Sequence, residues 1–213
     1  NDFYGNPDPP AKGARVFNPA NPVRWQADAA GGAPRLATAV KELSRRPNTI
    51  MVAAGDLIGA SPLLSSLFHD EPTIESLSKM GLAITSVGNH EFDEGWEELK
   101  RMQDGGCHPK DGCKGPRPFA GAGFQYLAAS TYLDNGETLF PAYAIREFDG
   151  VPVAFIGLTL EGTPDIITPA ARSGISFRDE AETVNALVPE IRSRGIEAIV
   201  VLIHEGGFAG AGL

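Results

Sequence analysis

Basic residues are scarce in this chain: 18 lysines and arginines face 27 aspartates and glutamates, for a formal net charge of −9. An acidic surface repels the phosphate backbone of DNA or RNA, and no basic stripe offsets it, so a nucleic-acid polymer is not the expected partner. Long apolar runs are missing as well. The longest, such as Glu197 to Ile203, fall far short of a membrane span. There is no internal repeat and no low-complexity tract. The polar, Pro-rich opening from Asn1 to Pro10 is not a signal peptide. With 42% hydrophobic residues in 213, disorder is excluded and one sizeable soluble core is expected.

Cysteine is nearly absent. The only two, Cys107 and Cys113, sit in a run of turn formers from Gly105 to Pro116. One reading is a small disulfide loop, which implies an oxidising compartment. Another is a zinc knot using Cys107, His108 and Cys113, with no clear fourth ligand and unusual spacing. Two reduced, inert thiols are the third.

The pattern of apolar residues alternates between short β runs and helical periods. Helices are expected over Pro34–Arg46, Thr73–Met80 (closed by Gly81), Glu94–Met102 and Asp179–Arg194. Pro189 predicts a kink or break in the last of these. Ser61 is placed to cap a further helix, with Pro62 at its first position. Strands are expected at Thr49–Ala54, Ala83–Val87, Phe124–Ala129 and Glu197–Ile203. Asp149-Gly150 between Tyr143–Phe148 and Val151–Leu158 signals a hairpin. Alternating strands and helices with one hairpin predict a layered α/β fold with a mixed sheet. No domain linker is visible.

Three of these strands run directly into metal-ligand residue types. Thr49–Ala54 leads to Gly55-Asp56, Ala83–Val87 to Gly88-Asn89-His90, and Glu197–Ile203 to His204. Ligands bind beyond the carboxyl ends of strands in open α/β sheets, so three such ends can converge. Asp2 is a fourth candidate. Singly, each residue has a plainer role: Asp56 a turn cap, Asn89 a turn residue, His90 and His204 hydrogen-bonded core histidines, Asp2 a frayed terminus. The joint pattern favours a site. Asp and Asn oxygens with imidazole suit Mn²⁺, Zn²⁺, Fe or Mg²⁺ rather than a thiolate site, and bound cations would let an acidic protein take a small anionic substrate. His69 and His108 receive no role.

Gly55-Asp56-Leu57-Ile58-Gly59-Ala60-Ser61, Gly88-Asn89-His90-Glu91-Phe92-Asp93 and Val201-Leu202-Ile203-His204-Glu205-Gly206-Gly207 together resemble the calcineurin-like metallophosphoesterases. More narrowly, the chain resembles the N-terminal catalytic domain of secreted bacterial 5′-nucleotidases, a group that includes UDP-sugar hydrolases and 2′,3′-cyclic phosphodiesterases. Leu67–Ile74, the Cys107–Cys113 loop and Gly157–Pro164 carry the likeness over nearly the whole chain.

The resemblance implies an α-β-β-α sandwich and hydrolysis of nucleoside 5′-monophosphates or related small phosphate esters. Two divalent ions (Mn, Zn, Fe, Mg or Ca) would activate the attacking water. Asp56 would bridge the metals, Asp2 would bind the first, and Asn89 and His204 the second. His90, oriented by Asp93, would face the phosphate, with Asn89 also touching substrate. A secreted, periplasmic or cell-surface location follows, with no membrane span.

Three departures stand out. Tyr4 occupies the place of a metal-ligand histidine. The family's later Gly-His-x-His motif and its C-terminal nucleotide-recognition domain are absent, so residues 1–213 are expected to form a partial catalytic domain with an uncovered sheet edge open to oligomerisation. Ser130-Thr131 stands where the family often has Asn-Val. A catalytically weak or inactive fragment and a cyclic-nucleotide phosphodiesterase are the alternative functions.

Overall fold

Three short apolar stretches separated by helical segments build the parallel sheet. The computed structural model describes residues 2–10, 13–17, 25–28 and 30–206. Asn1 and the tail from Gly207 onward lie outside the described residues. An antiparallel pair, β1 (Ala14–Phe17) and β2 (Trp25–Asp28), precedes helix α1 (Ala33–Leu43). Then come β3 (Met51–Ala54), α2 (Leu63–Ser66), α3 (Glu71–Met80), β4 (Leu82–Ser86), α4 (Trp96–Asp104) and β5 (Gln125–Leu127). Strands β3, β4 and β5 form a parallel sheet in that order. The helices lie against it because Ile74 and Leu77 on α3, and Leu99 and Met102 on α4, recur at helical spacing and are buried with Phe92 and Tyr126. Gly81 ends α3 in the left-handed conformation, φ 88°, as its position predicts. Ser61 does not cap α2. Pro62 takes the cap position, and the Ser61 hydroxyl donates to Gly59 O.

The second sheet follows β6 (Thr131–Leu133). It comprises β7 (Tyr143–Phe148), β8 (Val151–Thr159) and, after β9 (Ile175–Phe177) and α5 (Glu180–Ser193), β10 (Ala198–His204). Its order is β10-β8-β7, with β7–β8 the expected antiparallel hairpin and β10 parallel to β8. Strand β8 is buried on both faces and sorts its side chains by alternation. Ala154, Ile156 and Leu158 meet Ile191 and half-buried Val184 and Leu187 of α5. Phe155 turns the other way, toward Ile84, Leu127, Ala144 and Leu202 between the two sheets. Gly157 permits the closest approach, since a Cβ there would lie 2.4 Å from Leu127 Cβ. Helices outside and two sheets inside make an α-β-β-α sandwich, as expected.

Asp179 caps α5 by accepting from Glu182 N–H at 2.7 Å. The helix runs through Pro189 without the predicted break. Pro189 and Asn185 are both exposed, so the carbonyl that loses its N–H partner can be hydrated instead. Ser130 and Thr131 gain a physical role. The buried Ser130 hydroxyl donates to Thr159 O and accepts from Thr159 N–H, each at 3.0 Å, and Thr131 reaches the Thr159 hydroxyl. These bonds tie the chain leaving β5 to the end of β8. Strand β10 is an edge of its sheet, with Val200 and Val201 exposed.

Candidate metal centre

Strands β3, β4 and β10 end at one rim, and their loops interlock there through two glycines. Gly55 has φ 83°, and a Cβ on it would sit 2.3 Å from Gly88 N. A Cβ on Gly88 would sit 2.1 Å from Asp56 Oδ1. Only glycine at both positions lets the Asp56 carboxylate press against the loop after β4. Asp56 itself takes a left-handed backbone, φ 52°, and is 1% exposed.

Each Asp56 oxygen has a partner. Oδ1 accepts from His90 N–H at 3.0 Å, and Oδ2 lies 3.1 Å from His204 Nε2. The other His204 nitrogen, Nδ1, is 2.8 Å from Ala54 O, and a carbonyl can only accept, so Nδ1 carries a proton. Asp2 joins them because the N-terminal segment runs along the β3 loop. Phe3 N–H donates to Asp56 O at 2.8 Å, and Gly5 N–H to Leu57 O at 3.0 Å. One ligand atom each from Asp2, Asp56 and His204 lies within 4.8 Å of the others.

Burial works to raise the Asp56 pKa, but its bonds to His204 and His90 N–H outweigh it and hold the carboxyl below its ordinary value. His204 is raised, chiefly by its contact with Asp56, against the effect of burial. Tyr4 donates its hydroxyl to Asp2 Oδ1 at 2.9 Å. Burial, that bond and the charge on Asp56 push the phenol well above its usual range. Tyr4 therefore stays neutral in this setting and stands edge-on to His90, with ring centroids 5.3 Å apart.

Asn89 opens a 3-10 turn, His90–Phe92, directly after Gly88, and its side chain makes no capping bond. His90 Nδ1 lies 2.9 Å from Asp93 Oδ2, which also accepts from Ala60 N–H at 3.1 Å. Burial opposes charge on His90, but the Asp93 contact overrides it and raises the pKa. Thus Asp2, Asp56, His204 and the His90–Asp93 pair all meet at or beside one rim. Cys107 and Cys113 are joined by a disulfide, Cα–Cα 4.4 Å, beyond the end of α4.

Sequence reasoning passed over Glu91. It is 3% exposed, and its carboxylate accepts three backbone N–H groups: Leu57 at 2.7 Å, Asp56 at 2.8 Å and Gly88 at 2.7 Å. It is the pin that holds the two ligand loops together. Burial and the Asp56 charge push its pKa up to about 7, against the pull of the three N–H donors. Its place inside Gly-Asn-His-Glu, directly after a buried strand, was the available signal. A small cavity of about 100 Å³ opens beside the rim, lined by Ser61, Asp70, His90, Asp93, Glu94 and His69 among others.

A sandwich with acidic and imidazole ligand types gathered at one rim has the architecture of a metallophosphoesterase. No protein-family model matches the chain. An uncharacterised protein from Acinetobacter calcoaceticus is 42% identical over 157 residues, covering 71% of this chain and 77% of that protein. Endonuclease YhcR of Bacillus subtilis is 41% identical over 162 residues, 76% of this chain but 13% of its own length. A Vibrio cholerae 5′-nucleotidase is 29% identical over 76% of this chain and 26% of itself. Among solved structures, the Haemophilus influenzae NAD nucleotidase NadN superposes with a TM-score of 0.75 at 22% identity, covering 97% of this chain and 33% of that one. The calcineurin-like phosphoesterase YfkN of Bacillus subtilis gives 0.68 at 20%, over 97% and 60%. The chain has the fold of the calcineurin-like phosphoesterases and is similar in sequence to 5′-nucleotidases over about three-quarters of its length. It spans only about a quarter of the Vibrio nucleotidase's length.

Proposed function

We propose that the chain is the catalytic part of a two-metal phosphoesterase that hydrolyses small phosphate esters, nucleoside 5′-monophosphates foremost. One observation supports this reading above the rest. His204, with its proton on Nδ1, turns the lone pair of Nε2 toward the ionised Asp56 at 3.1 Å, with Asp2 beside them. Two acceptors held face to face repel unless a cation stands between them, and a proton or a divalent ion can serve. A backbone carbonyl fixing the tautomer of a ligand histidine is a common feature of metal sites.

In this reading Asp56 would serve both ions, Asp2 the first, and the Asn89 amide oxygen and His204 the second. The ions would be Mn, Zn, Fe, Mg or Ca, and when bound they supply the charge that activates water and steadies the phosphoryl oxygens. The remaining work falls to side chains. Asp93 fixes the His90 Nδ1–H, which leaves Nε2 to face the phosphate and hand a proton to the leaving oxygen. Asp93→Asn is expected to lower kcat by about 10²-fold, the low end for losing a positioned acid. Bound metal should not change, because Asp93 does not touch the Asp2/Asp56/His204 cluster. A matching loss of metal by elemental analysis would contradict that separation.

Elemental analysis paired with assays on AMP and p-nitrophenyl phosphate in the presence of Mn²⁺ tests the central reading. Turnover together with at least two ions per chain supports it. Neither ion nor turnover supports instead an inactive member of the fold, the reading motivated by Tyr4. In that event Tyr4→His is the informative variant, since recovery of turnover places the fault at the first metal. A relative named an endonuclease makes phosphodiesters the second substrate class to assay, by comparing 2′,3′-cyclic AMP and single-stranded DNA with AMP. The net charge of −9 favours the small substrates. The Cys107–Cys113 disulfide supports an oxidising location outside the cytoplasm.

A further inference from the structure

A second group of ligand types lies beside the same cavity, which His69, Glu94 and Glu98 help to line. His69 lies between α2 and α3, Glu94 directly follows Asp93, Glu98 is on α4, and His108 is inside the disulfide loop. One ligand atom from each of the four lies within 4.8 Å of all the others. The His69 and His108 rings are stacked, with centroids 3.9 Å apart and planes 8° from parallel. His69 Nδ1 is 2.7 Å from Glu94 Oε2.

The surroundings hold these groups in place. His69 Nε2 is 3.0 Å from Asp111 Oδ2, the carboxylate–imidazole pairing that orients metal-bound histidines. Glu98 is 9% exposed at its side chain and is gripped by Arg101, whose Nε lies 3.0 and 2.9 Å from its two oxygens and whose Nη2 lies 2.6 Å from one of them. Arg101 also donates to Gly106 O, one residue before Cys107, so the helix and the loop are clamped together. The disulfide limits how far His108 and Asp111 can move. Glu71, Glu94, Glu98 and Asp111 bring four carboxylates, and Arg101 and Lys114 bring two cations. Two further positive charges are needed for balance, and two nitrogens with two oxygens suit a first-row divalent ion.

We propose that His69, Glu94, Glu98 and His108 form a binding site for a divalent cation of the Zn²⁺ type, which fastens the Cys107–Cys113 loop to the turn that carries His90 and Asp93. His108 Nδ1 now accepts from Asp111 N–H at 3.0 Å. The ring joins the site by exchanging that single bond for the cation.

The test uses oxidised protein stripped of metal by dialysis against chelator, then titrated with Zn²⁺ in competition with a chromophoric chelator. The wild type is compared with the His69→Asn/His108→Asn double variant, and both are repeated in an Asp56→Asn/His204→Ala background that disables the rim. The expected result is one zinc per chain retained in the rim-disabled background, with a Kd of about 1 μM or tighter. That zinc disappears when His69 and His108 are also replaced. Zn²⁺ should raise Tm in the rim-disabled protein and leave the four-fold variant unmoved. Co²⁺ in the same site should show the strong visible bands of a four-coordinate ion. If the rim-disabled protein does not fold, the difference in zinc count between wild type and the His69/His108 variant reads the same quantity. Zinc binding that is absent, or indifferent to both histidines, overturns the proposal and leaves an ion-pair network closed by a proton on His69. The outcome is independent of phosphatase turnover, so it stands or falls apart from the catalytic reading.

Discussion

Asp56→Asn is expected to reduce hydrolysis by about 10³-fold or more, about 4 kcal/mol of barrier, while costing the protein about 1 kcal/mol of stability when metal is absent. The reasoning turns on what faces each Asp56 oxygen. The amide oxygen of asparagine can keep the bond from His90 N–H, which Oδ1 accepts at 3.0 Å. The amide N–H₂ then falls where Oδ2 was, 3.1 Å from His204 Nε2, and donates to the lone pair there. A neutral hydrogen bond replaces the proton-bridged Asp56–His204 ion pair. The substitution therefore keeps the apo site paired through a weaker bond and removes the anion that would hold two ions together. Melting curves in chelator, metal counts and turnover of p-nitrophenyl phosphate should separate these effects. Wild-type turnover in the variant would refute the role of Asp56. A Tm lower by more than a few degrees in chelator would refute the hydrogen-bond exchange.

Replacement of Glu91 should act on stability first. Glu91→Leu strands three buried N–H groups, those of Asp56, Leu57 and Gly88, with no solvent to turn to. At roughly 1 kcal/mol or more each, the cost is about 3 kcal/mol or more, or ~6–12 °C in Tm for a domain of this size. Relief from burying the Glu91 charge and from its repulsion with Asp56 offsets part of this. Glu91→Gln is not conservative here. Its amide oxygen can serve one side of the pin, but its N–H₂ then points at backbone N–H groups, donor against donor, so about 1–2 kcal/mol is expected. Metal affinity should fall in both variants, because the pin sets the distance between the loops carrying Asp56 and Asn89. Thermal denaturation and zinc or manganese titration of each variant check the prediction. A Glu91→Leu protein as stable as wild type would remove Glu91 from the architecture of the site.

What the sequence made legible was governed by how local its causes are. The runs before Asp56, Asn89 and His204 are apolar, short and followed by glycine or a ligand type, and each proved to be a strand ending at the rim. The Asp149-Gly150 hairpin and the glycine stop of α3 also depend only on their own backbone geometry. Pairings that depend on distant partners were not legible. Strands β6 and β9 are three residues each and have meaning only against one another. The Pro189 break failed because an exposed helix face tolerates a lost bond that a buried one does not. Tyr4 was read as a departure from a ligand pattern, but its bond to Asp2 and its contact with His90 are visible only in three dimensions. His69 and His108 looked unrelated in sequence, and they meet because Arg101 and a disulfide fold a loop back over α4.

His204 and Ala54 are 150 positions apart and belong to different sheets, yet they share a hydrogen bond at the rim. During synthesis, then, the parallel sheet carrying Asp56 emerges from the ribosome long before the strand that completes the proposed ion-binding corner. A half-made chain can fold around Ala54 but has no imidazole to offer. If the rim holds ions as proposed, they would act as a latch drawn across the seam of the sandwich once both halves have met, a seam otherwise closed only by a proton.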